Sequence, residues 1–210
     1  MLQYTTINTT TLELLRELMH ENCLKDFNLV GGTALALQLG HRISIDLDLF
    51  TLNDFDTQYI LSELGKKFRI TEITEYPFSI IQKIEFPNDT QNYIKVDIVK
   101  YPYKLIKPPI NLDGIRLLTK EDIIPMKLST IGSRGSKKDF YDIFFLLKEF
   151  ELKEMFKLFE QKFPNVNYFH IVKSLTDFDD ADIELNPKTF VKLSWDEVKN
   201  EIQKQVKNMI

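Results

Sequence analysis

The chain has 210 residues, room for one large domain or two small ones, and with 43% hydrophobic and 12% aromatic residues it can build a real core. Its net charge of −4 excludes a global basic footprint for duplex nucleic acid, though not a local basic groove. The lone Cys23 excludes an intrachain disulfide, and His20, His41 and His170 lack zinc-ligand spacing. With no basic-then-apolar start and no apolar run long enough for a bilayer, the expectation is a soluble protein of a reducing cytoplasm with no membrane partner.

In chain order, Thr10 to Asp26 predicts a helix through Leu12, Leu14, Leu15, Leu18 and Met19, with Thr9-Thr10-Thr11 as its cap. An apolar lead-in, Phe27 to Val30, runs into Gly31-Gly32-Thr33 and a short helix-like run to Leu39, ended by Gly40. Ile43 to Phe50 alternates as a strand. Ser44, Asp46 and Asp48 then share one face, and Ile43, Ile45, Leu47 and Leu49 share a face that can be buried. Asn53-Asp54 marks a turn or cap before an amphipathic helix from Thr57 to Lys67. Strand-like runs follow at Phe68 to Tyr76 and Phe78 to Phe86, then turn chemistry at Pro87-Asn88-Asp89-Thr90. Tyr93 to Tyr101 alternates again, with Ile94, Val96 and Ile98 on one face and Lys95, Asp97 and Val99 on the other. A hairpin would lay it beside the first part of the sheet.

Pro102, Pro108 and Pro109 mark a break. Thr119 to Asp122 resembles a capping box and opens a helix through Lys127 that contains Pro125. Gly132 and Gly135 punctuate a short loop around Arg134. Ser136 can cap a helix from Lys137 to Phe150, on which Asp139 and Asp142 fall on one side. Further helices are expected at Glu151 to Lys162 and Trp195 to Met209, the latter capped by Ser194, with an acidic loop at Asp177 to Glu184.

Asp46 and Asp48 lie within about 7 Å along a strand, so their charges repel unless a cation sits between them. Hard oxygen ligands favour Mg2+ or Mn2+. Gly31-Gly32 is either a tight turn or a phosphate cradle at a helix N-terminus, with Thr33 as a hydroxyl donor. A phosphate there would lie near the metal, the geometry of phosphoryl or nucleotidyl transfer. Asp97 is either a third metal carboxylate or a partner of Lys95. Ser44 is a plain strand residue or a phosphate ligand, and Lys127 a snorkelling lysine or a triphosphate ligand. Arg134, Lys137 and Lys138 are a solvated loop or a local basic patch. Asp139 caps its helix or pairs with Lys127 or the nucleotide, and His41-Arg42 caps the short helix or contacts phosphate.

Gly31-Gly32-Thr33-Ala34-Leu35 followed by His41 to Phe50 resembles the signature of the AbiEii/AbiGii-type nucleotidyltransferase toxins, within the DNA polymerase β-like superfamily. Lys95-Val96-Asp97, Asp122 to Lys127, Arg134 with Lys137 to Asp142, and Asp179-Asp180-Ala181 with Trp195 continue the likeness in the same order. The resemblance implies an α+β fold, with a small mixed sheet carrying the carboxylates and a helical C-terminal part closing the site. The division would fall at 1–107 and 108–210. It also implies a Mg2+-dependent transfer of NMP from an NTP to an acceptor such as a tRNA 3′ end, in a toxin–antitoxin or abortive-infection (phage defence) system, with a cognate antitoxin as partner. Asp46, Asp48 and Asp97 would bind metal. Ser44, Lys127 and Asp139 would serve catalysis, and Gly31, Gly32, Thr33, Arg42, Ser44 and Lys127 the nucleotide. The alternative is a non-catalytic nucleotide- or partner-binding module on the same fold.

Overall fold

A computed structural model describes residues 1–86 and 89–209, so the expected Pro87-Asn88 turn lies outside the described residues. After a 3-10 turn at Tyr4–Thr6, helix α1 spans Thr9–His20. Its cap is Asn8 rather than the threonine run: the Asn8 side-chain oxygen accepts from Thr11 N at 2.6 Å. It stops at His20 rather than Asp26, because Asn22–Leu24 tightens into a second 3-10 turn. Arg116 then takes up carbonyls that the ended helix would orphan, donating to Met19, Leu24 and Phe27.

Strand β1 (Asn28–Val30) leads directly into α2 (Gly31–Leu39), which Gly40 ends in a left-handed conformation at φ 70°. Next come β2 (Leu47–Thr51) and α3 (Thr57–Gly65), which is capped by Asp56 and not by Asn53-Asp54. Strands β3 (Arg69–Tyr76), β4 (Ser79–Phe86) and β5 (Asp89–Lys100) form a meander. Two short strands the sequence reading missed, β6 (Ile110–Leu112) and β7 (Ile115–Leu117), precede the helices. These are α4 (Lys120–Ser133), α5 (Lys137–Leu146), α6 (Leu152–Lys162), α7 (Phe169–Ser174), α8 (Asp179–Asp182) and α9 (Trp195–Met209). Gly132 therefore lies inside α4, not in a loop. The expected acidic loop carries α8.

The strands join one mixed sheet in the order β3-β4-β5-β2-β1-β7-β6, parallel at β2·β5 and β1·β7 and antiparallel elsewhere. The α+β class, the mixed sheet and the helical C-terminal part match the expectation. The sheet continues past the expected division at 107/108, since β6 and β7 extend its far edge. One buried apolar cluster runs from Leu2 to Val206 and joins sheet and helices. Ile94, Val96 and Ile98 fill the core face of β5, as the alternation required. Helix α9 docks through Val198, Ile202 and Val206, and Ser194 caps it in a reciprocal exchange with Glu197. Thr119, in contrast, makes no side-chain cap bond. Asp122 is instead buried, accepting from Ile106 N and Lys107 N (2.9 Å each) and pairing with Lys162 at 2.7 Å.

Candidate active site

The middle of the sheet places the acidic residues. Antiparallel pairing sets Val30 opposite Asp48, so Gly31, the next residue, abuts the Asp48 carboxylate. Parallel pairing sets Asp48 opposite Asp97. Gly31 has φ +68°, and a Cβ there would collide with Asp48 Oδ2. A Cβ on Gly32 would lie 2.5 Å from an Arg42 guanidinium nitrogen. The glycine pair is thus required twice: backbone and functional side chains share the space a methyl group would take.

The expected strand from Ile43 begins only at Leu47. Residues 43–46 form a loop pinned from outside the sheet. Ser44 N donates to Thr6 O (2.9 Å), Ile43 N to Lys188 O (2.8 Å), and Arg42 makes a lone β-bridge to Thr189. As a result Ile45 is 53% exposed rather than buried with Leu47 and Leu49. The hydroxyl of Thr33 is also committed. It donates to the Asp46 carbonyl and lies 2.9 Å from Ser44 Oγ, so it braces this loop and is not a free phosphate donor.

An open hollow of about 190 Å3 lies against this face. Gly31, Gly32 and Thr33 form one wall, Ser44, Asp46 and Asp48 another, and Arg42, Lys127, Arg134 and Lys138 supply positive charge. Ile123, Met126, Lys127 and Thr130 also line it, at the spacing of one face of α4. Asp139 completes the lining from the first turn of α5. Of the candidate residues, Asp97, His41 and Lys137 stay outside this hollow and the others line it; Lys137 is buried and donates to the Glu184 carbonyl.

Behind the hollow sits Asp142, fully buried, which the sequence reading placed on a helix side but gave no role. Its carboxylate accepts from Arg42 Nε (2.6 Å) and a second guanidinium nitrogen (2.9 Å), and from His41 Nε2 (2.7 Å), and it pairs with Lys127 Nζ at 2.6 Å. Lys127 also donates to Asp139 Oδ1 at 2.8 Å. Burial alone would raise the Asp142 pKa, but Arg42, Lys127 and His41 outweigh it and hold the group well below the usual carboxylate range. Burial would lower the Lys127 pKa, but Asp142 and Asp139 raise it. Burial wins at His41 and lowers its pKa. Lys127 is thus a fixed, charged ammonium, not a snorkelling surface lysine. His41 and Arg42 are bonded to Asp142 and do not cap α2.

The acidic side differs. Burial, then the charge of Asp97, push Asp48 from 3.8 up to about 6, against a partial offset from Lys127 and Lys95. The three expected metal carboxylates do not close into one cluster. Among the described residues no group of three His, Cys, Asp or Glu side chains is placed to hold a metal ion. Lys95, on the same strand face, pairs with Asp97 Oδ2 at 2.6 Å and draws it from the hollow's lining. Its other oxygen, Oδ1, is buried without a hydrogen-bond partner. An orphaned carboxylate oxygen beside a carboxyl destabilised by like charge is a donor set that a hard divalent cation suits.

A family profile described as "Nucleotidyl transferase AbiEii toxin, Type IV TA system" matches residues 13–209. The chain belongs to the AbiEii nucleotidyltransferase toxin family. An uncharacterized protein of Aquifex aeolicus (strain VF5) is similar to this AbiEii chain, 35% identical over 204 residues, covering 94% of this chain and 95% of its own. Among solved structures, JHP933 from Helicobacter pylori is similar in fold, with TM-score 0.60 at 18% identity over 97% of this chain and 93% of its own. MenT4, a nucleotidyltransferase toxin from Mycobacterium tuberculosis H37Rv, gives TM-score 0.59 at 13% identity over 96% of this chain and 86% of its own. Among the described residues of this AbiEii-family chain, no helix is long and apolar enough to cross a membrane.

Proposed function

We propose that this chain is a Mg2+- or Mn2+-dependent nucleotidyltransferase that moves NMP from an NTP to a hydroxyl of an RNA acceptor such as a tRNA 3′ end. It acts as a cytoplasmic toxin in an antitoxin-paired or phage-defence system. One observation carries the reading: Asp46, Asp48, Lys127 and the glycine-led start of α2 line a single hollow. That sets anion-binding groups beside cation-binding carboxylates, as phosphoryl-group transfer needs. Family membership supports the reaction class.

Asp46 and Asp48, joined by Asp97 once it parts from Lys95, would hold the metal, which supplies charge neutralisation at the phosphates. The chain's own residues do the rest. Lys127 and Arg42 stand fixed by Asp142 to meet the triphosphate oxygens, so their charge needs no reorganisation when the pyrophosphate develops its own. Free backbone N–H groups at Gly31 and Gly32 receive further phosphate oxygen. The acceptor oxygen bonds to the α-phosphorus, the bond from that phosphorus to the bridging oxygen breaks, pyrophosphate leaves, and the hydroxyl proton passes to solvent.

The test is incubation of the purified chain with each labelled triphosphate, magnesium and total RNA, followed by gel analysis. Label should enter RNA with the native chain and not with Asp46→Asn, whose fold should remain intact by circular dichroism. Undiminished incorporation by that variant would refute the assignment. Triphosphate binding by calorimetry with no acceptor ever labelled would favour a binding module instead.

A further inference from the structure

A second hollow, of about 520 Å3, opens beside the first and shares Arg42, Ser44, Asp46 and Lys138 with it. Its remaining walls differ in character. Ile43 and Ile45 come from the loop before β2, Tyr93 and Lys95 from β5, and Glu184, Leu185 and Pro187 from the segment after α8. Three of these are large apolar side chains left in water: Ile45 is 53% exposed, Tyr93 49% and Leu185 94%. Lys83 Nζ lies 3.9 Å from the Tyr93 ring centroid and helps fix that ring in place. Lys95 and the exposed Lys138 bring positive charge to the same lining.

Shared walls decide what belongs where. The first hollow holds the glycine turn and Lys127, and so suits the triphosphate. Because Asp46 lines both hollows, the second gives an acceptor hydroxyl a route to it. The Tyr93 ring, the cations Lys95 and Lys138, and the shared Asp46 describe one chemistry, a nucleotide at the end of a strand; Glu184, the second carboxylate of the hollow, already accepts from Lys137 N. Its base must also be unpaired, because only an unstacked base can lay its face on an aromatic side chain.

We propose that the second hollow is the acceptor subsite and that it takes the unpaired terminal nucleotide of a single-stranded RNA end, with the base against Tyr93 and Ile45 and its phosphate between Lys95 and Lys138. This rests on the nucleotidyltransferase reading above. It adds a requirement that reading does not make: a paired or blunt end is refused.

The experiment uses the full chain, magnesium, the labelled triphosphate that the total-RNA assay identifies, and two synthetic RNA hairpins, one with a four-nucleotide 3′ overhang and one blunt. The overhang should be extended and the blunt hairpin should not. Tyr93→Ala should raise KM for the overhang RNA roughly five- to hundredfold, the size of a lost base–aromatic stack. It should leave KM for the triphosphate unchanged, and Tyr93→Phe should restore the acceptor KM. Equal use of both hairpins, or a Tyr93→Ala effect confined to the triphosphate, would overturn the subsite while the transferase reading stands. Label on a protein rather than RNA would do the same. If the native chain labels nothing, the transferase reading itself fails and the subsite falls with it.

Discussion

Asp48→Asn should abolish transfer and make the protein more stable. The carboxyl of Asp48 is pushed from 3.8 to about 6, by burial first and by Asp97 second. Two units correspond to about 3 kcal/mol, which is a ceiling. The carboxyl opens on a hollow, where solvent screens part of the penalty, and an asparagine amide still needs partners there. A gain of about 1–2 kcal/mol remains, or about 3–6 °C in Tm for a chain of this size. The sign follows from linkage. A carboxyl whose folded pKa is raised binds its proton more tightly in the native state, so stability is lost as pH rises from about 4 to about 6. The advantage of Asn should therefore be full at pH 7.5 and vanish near pH 4. Differential scanning fluorimetry at both pH values checks it, and magnesium at pH 7.5 should raise the native Tm but not the variant's. Equal Tm values at pH 7.5, or a gain that does not change with pH, would refute the electrostatic reasoning.

Other outcomes follow from the same geometry. Gly31→Ala should destabilise by about 2–3 kcal/mol in chemical denaturation, because the methyl group meets Asp48 and the backbone sits at positive φ. Gly114→Ala, at φ +82° but with no atom near its Cβ, should cost less. Asp142→Asn should raise KM for the triphosphate at least tenfold, since Lys127 and Arg42 lose their common counter-charge. Because the folded pKa of Asp142 is depressed, its contribution is present above the ordinary carboxylate range and lost only as pH falls through the folded value. The native chain and the variant should therefore converge in stability only in strong acid. Trp195→Ala should cost about 2–3 kcal/mol, because the indole packs on Phe140, Tyr141 and Phe178 and ties α9 to α5.

The parts legible in the sequence were those with a short period or a local constraint. Alternation marked β5 and its buried face, Gly40 marked the end of α2, and the Asp139/Asp142 spacing put both carboxylates on one helix side. The strand from Ile43 was misread because alternation continues through 43–46 while the backbone is held by Thr6 and Lys188, residues no local pattern connects. Strands β6 and β7 are three residues each, too short to show a period. The role of Asp142 was hidden for a different reason. A carboxylate that gathers a histidine and an arginine from one loop and a lysine from a distant helix looks, in sequence, like any other acidic residue in a helix. The glycine pair was legible as a turn, but not that its missing side chains make room for Asp48 and Arg42.

The clasp between Arg42 and Thr189 ties the loop that carries Asp46 to a segment near the far end of the chain. A ribosome must therefore synthesise the chain through Thr189 before this clasp can form. Fragments that end before Lys188 would hold that loop only through Thr6 and Thr33. In a chain of a toxin family, the loop that bears Asp46 is thus fully held only after that late segment exists.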